Sequence, residues 1–299
     1  MPKRITELLV DYETGEVVDT SRMVELEPGD RLFTKAQQDF LKKKNARYED
    51  KTDFVWLTFQ YGTNLKFPVD KSVVVRLLYF GTACGNDGII QMNKLMQAKL
   101  NLDKNQQTTF LNQTLQSGLL CQEGSALHVN PTVVSRGRYD SDSDHIRVFS
   151  DFYRKLCESA HRQTDLNRIF YFLQIIPYLN RQTNILCHNQ TEQELERVAY
   201  MSFNEFCKKI DYSTAHSATL KKQLSAFRVN EELVIGFFDN ISELTPNGSN
   251  VILNPKLCYG GDRNNGKYKE ICALFENEKN TYLTVQERES SACDTGSSE

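Results

Sequence analysis

The feature that most constrains the fold is a short pattern that occurs twice. The first copy runs Asn130-Pro131-Thr132-Val133-Val134-Ser135-Arg136-Gly137-Arg138. The second runs Asn254-Pro255-Lys256-Leu257-Cys258-Tyr259-Gly260-Gly261-Asp262-Arg263. Each puts Gly seven residues after Asn, with a basic residue just beyond. Each follows a β-rich stretch, itself preceded by two amphipathic stretches with a short polar break. A repeat at this spacing implies two copies of one small module. A chain of 299 residues accommodates two such modules with extensions.

The first module is expected over residues 67–138. Val73 to Cys84 reads as a core helix ended by Gly85-Asn86-Asp87-Gly88, and Ile89-Ile90 as a short strand. Gln91 to Leu100 carries Met92, Leu95, Met96 and Leu100 at core spacing. After the break at Asn101-Leu102-Asp103, Lys104 to Ser117 forms a third helix with Phe110, Leu111 and Leu115 facing inward. Gly118–Gln122 and Ala126–Asn130 then flank a Glu123-Gly124-Ser125 turn.

The second module is expected over 166–269. Ile169 to Leu179 is strongly apolar and is kinked or ended near Pro177. Met201 to Ile210 is a helix with Ser202 and Glu205 at capping-box spacing. Thr214 to Phe227 is the next helix, with Leu220, Leu224 and Phe227 in register. Val234–Phe238 and Val251–Leu253 bound a longer hairpin.

Helices followed by a two-stranded hairpin make a winged helix. The expected fold is therefore mainly α within the α+β class: two tandem winged helix-turn-helix domains with an N-terminal β-hairpin extension. That extension covers residues 1–66, with a hairpin over 5–20, a Lys-rich helix from Phe33 to Tyr48, and an apolar run from Asp53 to Gly62 that suits a strand or a short buried helix. Residues 139–165 are expected to be an acidic linker (Tyr139 to His145) and a bridging helix (Val148 to Ala160). Residues 270–299 are expected to be an acidic, partly disordered tail. Gly137 and Gly261 are expected at turns that need positive φ.

Charge is uneven along the chain. The net formal charge of −3 excludes a bulk polycation, so nucleic-acid binding must come from local patches. Lys71 to Arg138 holds seven Lys/Arg against three Asp/Glu, whereas Glu276 to Glu299 holds two against six. The eight cysteines show no CxxC and no zinc-ligand spacing, so no metal or cofactor is expected. Reduced thiols fit a cytoplasmic protein. No signal-peptide pattern opens the chain, and no apolar run reaches the roughly 20 residues that span a bilayer, so no membrane association is expected.

An α-helix fits the major groove of duplex DNA, where amide and hydroxyl side chains match base edges and cations anchor phosphates. The third helix of the first module offers Lys104, Asn105, Gln106, Thr109, Asn112 and Gln113. Its counterpart offers Ser213, Thr214, Ser217, Thr219, Lys221 and Lys222. Arg136 and Arg138, with Lys256 and Arg263, follow the two hairpins at matching places and suit phosphates. A lone polar helix is more often a solvated face; two in one modular position favour nucleic acid. Enzyme-like signals are weak. Cys187-His188 are adjacent, and Asp142, Asp144 and His145 lie in an acidic run, but adjacency alone makes neither a nucleophile nor a metal site. No Walker A or Rossmann fingerprint is present, and no catalytic residue is expected.

The runs Arg76-Leu77-Leu78-Tyr79-Phe80-Gly81-Thr82, Ile175-Ile176-Pro177-Tyr178-Leu179-Asn180, Asn184-Ile185-Leu186-Cys187-His188-Asn189 and Leu253-Asn254-Pro255-Lys256 resemble proteins encoded by phages and plasmids of low-GC Gram-positive bacteria. The Asn-Pro ending of module two is also similar to the winged-helix region of a firmicute plasmid replication-initiator family. The resemblance covers roughly residues 54–265 and carries over no catalytic residue. It implies a transcriptional regulator or replication initiator that binds double-stranded DNA. The competing class is a winged-helix interaction module that docks a phage or host protein.

Overall fold

The computed structural model describes residues 53–83, 89–90, 102–124, 126–136, 144–239 and 249–294. The chain divides into two units, Met1–Lys51 and Thr52–Glu299, and all described residues lie in the second. The expected N-terminal hairpin, the helix from Phe33 to Tyr48 and the helix from Gln91 to Leu100 fall outside the described residues, as do Gly137 and Arg138.

The second unit is mixed α+β. Strand β1 (Phe54–Phe59) settles the ambiguity of the first apolar run: Val55, Leu57 and Phe59 are buried while Phe54, Trp56 and Thr58 are half-buried on the other face. That period of two is the strand signature. β1 lies inside a four-stranded antiparallel sheet. One neighbour is β5 (Val134–Ser135). The other is β6 (Asp144–Phe149), which carries β11 (Cys258–Tyr259) on its far side.

This sheet is nearly symmetric, and the repeated pattern is the reason. Leu57 pairs with Val134 and Trp56 with Ser135; Val148 pairs with Cys258 and Arg147 with Tyr259. The two Asn-Pro copies equate Val134 with Cys258 and Ser135 with Tyr259. Leu57 therefore corresponds to Val148, and Trp56 to Arg147. Trp56 and Arg147 also pair with each other within the β1–β6 ladder. A pair that exchanges with itself marks a two-fold axis, so a pseudo-dyad passes between these two residues.

The Asn turns repeat bond for bond. Asn130 takes the Leu119 carbonyl with its backbone N–H, gives its side-chain amide to the Gly118 carbonyl, and accepts the Thr132 N–H at 3.0 Å. Asn254 takes the Val234 carbonyl, gives its amide to the Leu233 carbonyl, and accepts the Lys256 N–H at 2.9 Å. Asn suits this place because one short side chain supplies both a donor and an acceptor to local backbone. The following Pro has no N–H to satisfy.

Each module hangs its remaining elements on this frame. Module one has α1 (Lys71–Ala83), β2 (Ile89–Ile90), α2 (Lys104–Gln116) and the hairpin β3 (Leu120–Glu123) and β4 (Ala126–Val129). Module two has α3 (Ser150–Glu158), α4 (Gln163–Ile175), α5 (Phe203–Lys209) and α6 (Ser217–Ser225). A small ladder of β7 (Arg228–Val229) and β8 (Glu232–Leu233) follows, then the hairpin β9 (Ile235–Asp239) and β10 (Ser249–Leu253). Ile89 pairs with His128 of β4, and Ile185 bridges Ile252 of β10 at the equivalent place. Helices α1 and α4 are both 13 residues long and pack on each other across the pseudo-dyad.

The core follows from that packing. α1 is buried continuously from Ser72 to Thr82, as befits a helix apolar on all sides. Tyr153 of α3 donates its hydroxyl to the Val75 carbonyl at 2.9 Å. Gln174 of α4 exchanges two hydrogen bonds with the backbone of Leu65. Gly81 lies so close to β5 that a Cβ would meet Val134 Cγ1 at 2.7 Å. One apolar cluster runs from Val55, Phe80 and Phe110 through Tyr153 and Phe172 to Leu220 and Leu257. Burying each large apolar side chain contributes about 1.5–3 kcal/mol, so both modules draw on the same core.

The structure departs from the sequence expectations in four places. Asp144–Phe149 is a strand rather than linker and helix, and α3 begins only at Ser150. Alternation of His145, Arg147 and Phe149 with Ile146 and Val148 is a strand pattern that the acidic approach from Tyr139 obscures. The first module reaches back to β1, before residue 67, and the two modules share a sheet instead of being tethered. Gly266 to Asp294 form one 29-residue helix, α7, across the boundary at residue 270 where the acidic tail is expected to begin; Ile271 and Phe275 bury its first turns against Phe149, Tyr259 and Ile252. Gly261 is not at positive φ. It is glycine because a Cβ there would meet Tyr259 Cε1 at 2.9 Å.

Candidate nucleic-acid interface

Helix α2 is started by Asp103, whose side chain accepts the Gln106 N–H at 2.8 Å, while Gln106 Oε1 accepts the Asp103 N–H at 3.2 Å. This capping box is worth about 1 kcal/mol. Phe110 and Thr114 are the buried positions of α2, the threonine hydroxyl donating to the Phe110 carbonyl at 2.7 Å. The opposite face is Asn105, Thr108, Thr109, Asn112 and Gln116, all exposed. Their spacing of three and four residues makes one stripe of amides and hydroxyls. Lys104 stands exposed at its start.

Helix α6 presents the equivalent surface. A turn of 3-10 helix at Thr214–His216 leads into it, and Ser217, Leu220 and Leu224 are its buried positions. Phe110 and Thr114 correspond to Leu220 and Leu224, which puts Ala218, Thr219, Lys222 and Gln223 where Thr108, Thr109, Asn112 and Gln113 lie in α2. All four are exposed. Around them lie Lys208 and Lys209 at the end of α5, with Ser213, Thr214 and His216, all exposed. Lys221 is half-buried, its Nζ 4.8 Å from the Phe237 ring centroid.

The sequence-predicted residues thus divide into two groups. Lys104, Asn105, Thr109, Asn112, Ser213, Thr214, Thr219 and Lys222 lie exposed on or beside the two helical faces. The other described ones are engaged within the protein. Gln106 closes the capping box. Gln113 exchanges two hydrogen bonds with Asp70 ahead of α1. Ser217 is buried and donates its hydroxyl to the Thr214 carbonyl at 2.8 Å.

The four expected phosphate cations fare differently again. Arg136 reaches the Thr82 carbonyl at 3.0 Å and the Asp53 carboxylate, which Arg154 shares at 2.7 Å. Burial, with Arg154 nearby, lowers the Arg136 pKa from its ordinary value. Lys256 lies 3.0 Å from Glu232 and 3.5 Å from Glu276 of α7. Burial opposes its charge, but the two carboxylates outweigh it and raise its pKa. Arg263 stacks 4.7 Å from the Phe149 ring centroid and 5.1 Å from that of Tyr268. Arg136 and Arg263 brace the shared sheet and Lys256 ties β8 to α7, and Arg138 lies outside the described residues.

Thr108, Gln116, Gln223, Lys208 and Lys209 lie exposed on or beside the same faces and were not among the sequence-predicted residues. The signal for them was available: once Phe110/Thr114 and Leu220/Leu224 are taken as the buried seam, the opposite stripe follows from helical period alone. What periodicity does not supply is the identity of partners distant in sequence, such as Asp70 for Gln113.

The enzyme-like signals do not assemble. Burial pushes the Cys187 thiol up to about 12, while His188 is exposed and points toward Glu205. Asp144 accepts the Tyr61 N–H at 2.9 Å, and His145 packs edge-on against Trp56. Among the described residues no cluster of His, Cys, Asp or Glu is placed to hold a metal. No described helix is long and apolar enough to cross a membrane.

Compared with protein-family models, with curated proteins and with solved structures, the chain matches none.

Proposed function

We propose that this chain is a sequence-specific double-stranded DNA-binding protein whose two modules are winged helix-turn-helix units, acting as a phage or plasmid transcriptional regulator or replication initiator. One observation carries the proposal: the same position in both modules holds a helix whose outer face is polar and exposed, Asn105–Thr109–Asn112 in α2 and Thr219–Lys222–Gln223 in α6. Short amides and hydroxyls on such a face are the groups that pair with base edges in the major groove. Lys104, Lys208, Lys209 and Lys222 flank the two faces and suit phosphates. The resemblance of the Asn-Pro ending of module two to plasmid initiators suggests the biological setting.

The test is equilibrium binding to random-sequence duplex over a salt series. About six phosphate contacts give a slope of log K against log salt near −5. A flat salt response, or no binding at low salt, refutes DNA as the partner. One observation favours a second reading, a docking surface for a phage or host protein: the exposed face of α2 carries amides and hydroxyls but only one cation, Lys104.

A further inference from the structure

We infer that the two reading helices address one duplex in opposite orientations, so that the binding site is an inverted arrangement of two unlike half-sites rather than a tandem one. The inference rests on the proposed DNA-binding function and adds the geometry of the site. Its basis is the pseudo-dyad. Six antiparallel residue pairs, Phe54↔Phe149 to Phe59↔Asp144, lock β1 to β6, and the pseudo-dyad passes through the third, Trp56 opposite Arg147. The same axis exchanges β5 with β11, α1 with α4, the Ile89 pairing with the Ile185 bridge, and the Asn130 turn with the Asn254 turn. Through these elements it also exchanges α2 with α6.

The relation between the modules is therefore built into a hydrogen-bonded sheet and a shared core, not into a tether. Two bodies related by a two-fold axis carry like helices with opposite polarity. Duplex DNA has local two-fold axes perpendicular to its own, and a two-fold pair of reading heads matches a palindromic site. A tandem repeat would require the modules to be related by translation and rotation along the duplex, which the β1–β6 ladder forbids.

The half-sites of the natural protein differ because the faces differ, so symmetry is hidden in the natural site. It can be exposed by making the faces alike. Asn105→Ala, Thr108→Ala and Asn112→Lys, with Thr109 already matched by Thr219, give the middle of the α2 face the residues found at Ala215 in the turn before α6 and at Ala218 and Lys222 of α6. All three positions are exposed, and both alanine and lysine are good helix formers, so the fold is kept.

The experiment is selection of bound duplexes from a random pool by the full chain and by this triple variant. Circular dichroism of the variant verifies folding, and hydroxyl-radical footprinting of the natural protein on its selected site is a second readout. The expected result is a natural site of two dissimilar blocks and a variant site in which one block recurs in inverted orientation. The footprint should be symmetric about the midpoint. Recurrence of that block in direct orientation overturns the inference while leaving DNA binding intact, as does a natural site with a single block. Absence of any selected or protected duplex removes both the inference and the function on which it rests.

Discussion

Module one and module two share a frame and differ in how it is finished. In module two Asn254 is fully buried, and the hairpin β9–β10 pairs over five residues on each strand. α7 covers the adjoining sheet face through Ile271 and Phe275. In module one Asn130 is half-exposed and the β3–β4 ladder spans four pairs. Their outer helical faces differ in the opposite sense. α2 offers a nearly neutral stripe of amides and hydroxyls; α6 is surrounded by Lys208, Lys209, His216 and Lys222. On the proposed function the difference implies a division of labour, with the cationic half anchoring on phosphate and the neutral half contributing mainly base discrimination.

The largest effect tests whether the halves are separable. A chain ending at Arg138 strips β1 of β6 and α1 of α4, uncovering Val55, Leu57 and much of the continuously buried α1. It is expected to lose cooperative thermal unfolding altogether, whereas two independent modules would leave a transition of its own in calorimetry.

The next effect compares the two Asn turns. Asn254→Ala leaves a buried Leu233 carbonyl and the Lys256 N–H without their partner, at a cost of about 3 kcal/mol. Asn130→Ala, in a half-exposed copy where water can substitute, costs about 1 kcal/mol. Chemical denaturation of the two variants measures the gap; equal losses would break the asymmetry.

A third prediction sharpens the division of labour. Replacing Lys208, Lys209 and Lys222 together by Ala weakens binding to all duplexes and makes the salt slope shallower by about 2.7, at roughly 0.9 per phosphate contact. Asn105→Ala with Asn112→Ala leaves the slope unchanged and alters preference among sequences by about 1–3 kcal/mol. The reverse assignment would overturn it.

The smallest effect is pH dependence of the α5 start. Hydrogen bonds from the Ser202 hydroxyl and N–H hold the Glu205 carboxylate below its usual range. A folded-state pKa below the unfolded one adds stability above the unfolded pKa, and this is lost as pH falls through the folded value. Glu205→Gln should therefore flatten the acid limb of the stability curve slightly. An unchanged limb would show the box to be idle.

What the sequence disclosed followed from local chemistry. The repeated Asn turn, the Ser202–Glu205 box and the apolar periods of α2 and α6 are each set within a few residues, and each appears where its pattern placed it. What stayed hidden depends on residues far apart. Nothing near Arg136 reveals Asp53, and nothing near Lys256 reveals Glu276, so both looked like surface cations. β6 was masked by the acidic residues before it, and its role is apparent only beside β1. The candidate interface was legible as two helices; which of their residues are free to face a partner was only partly so, because Gln106 is engaged in the capping box, Gln113 pairs with Asp70, and Ser217 is buried against the Thr214 carbonyl.

The account's central claim is that α2 and α6 engage the same duplex. Photo-cross-linking groups placed singly at Asn112 and Lys222 of the full chain test it most directly. Both positions should give adducts with one labelled duplex, with equal dependence on protein concentration and loss on competition by unlabelled duplex. Adducts from Lys222 alone would confine DNA contact to module two, and adducts from neither position would contradict the claim.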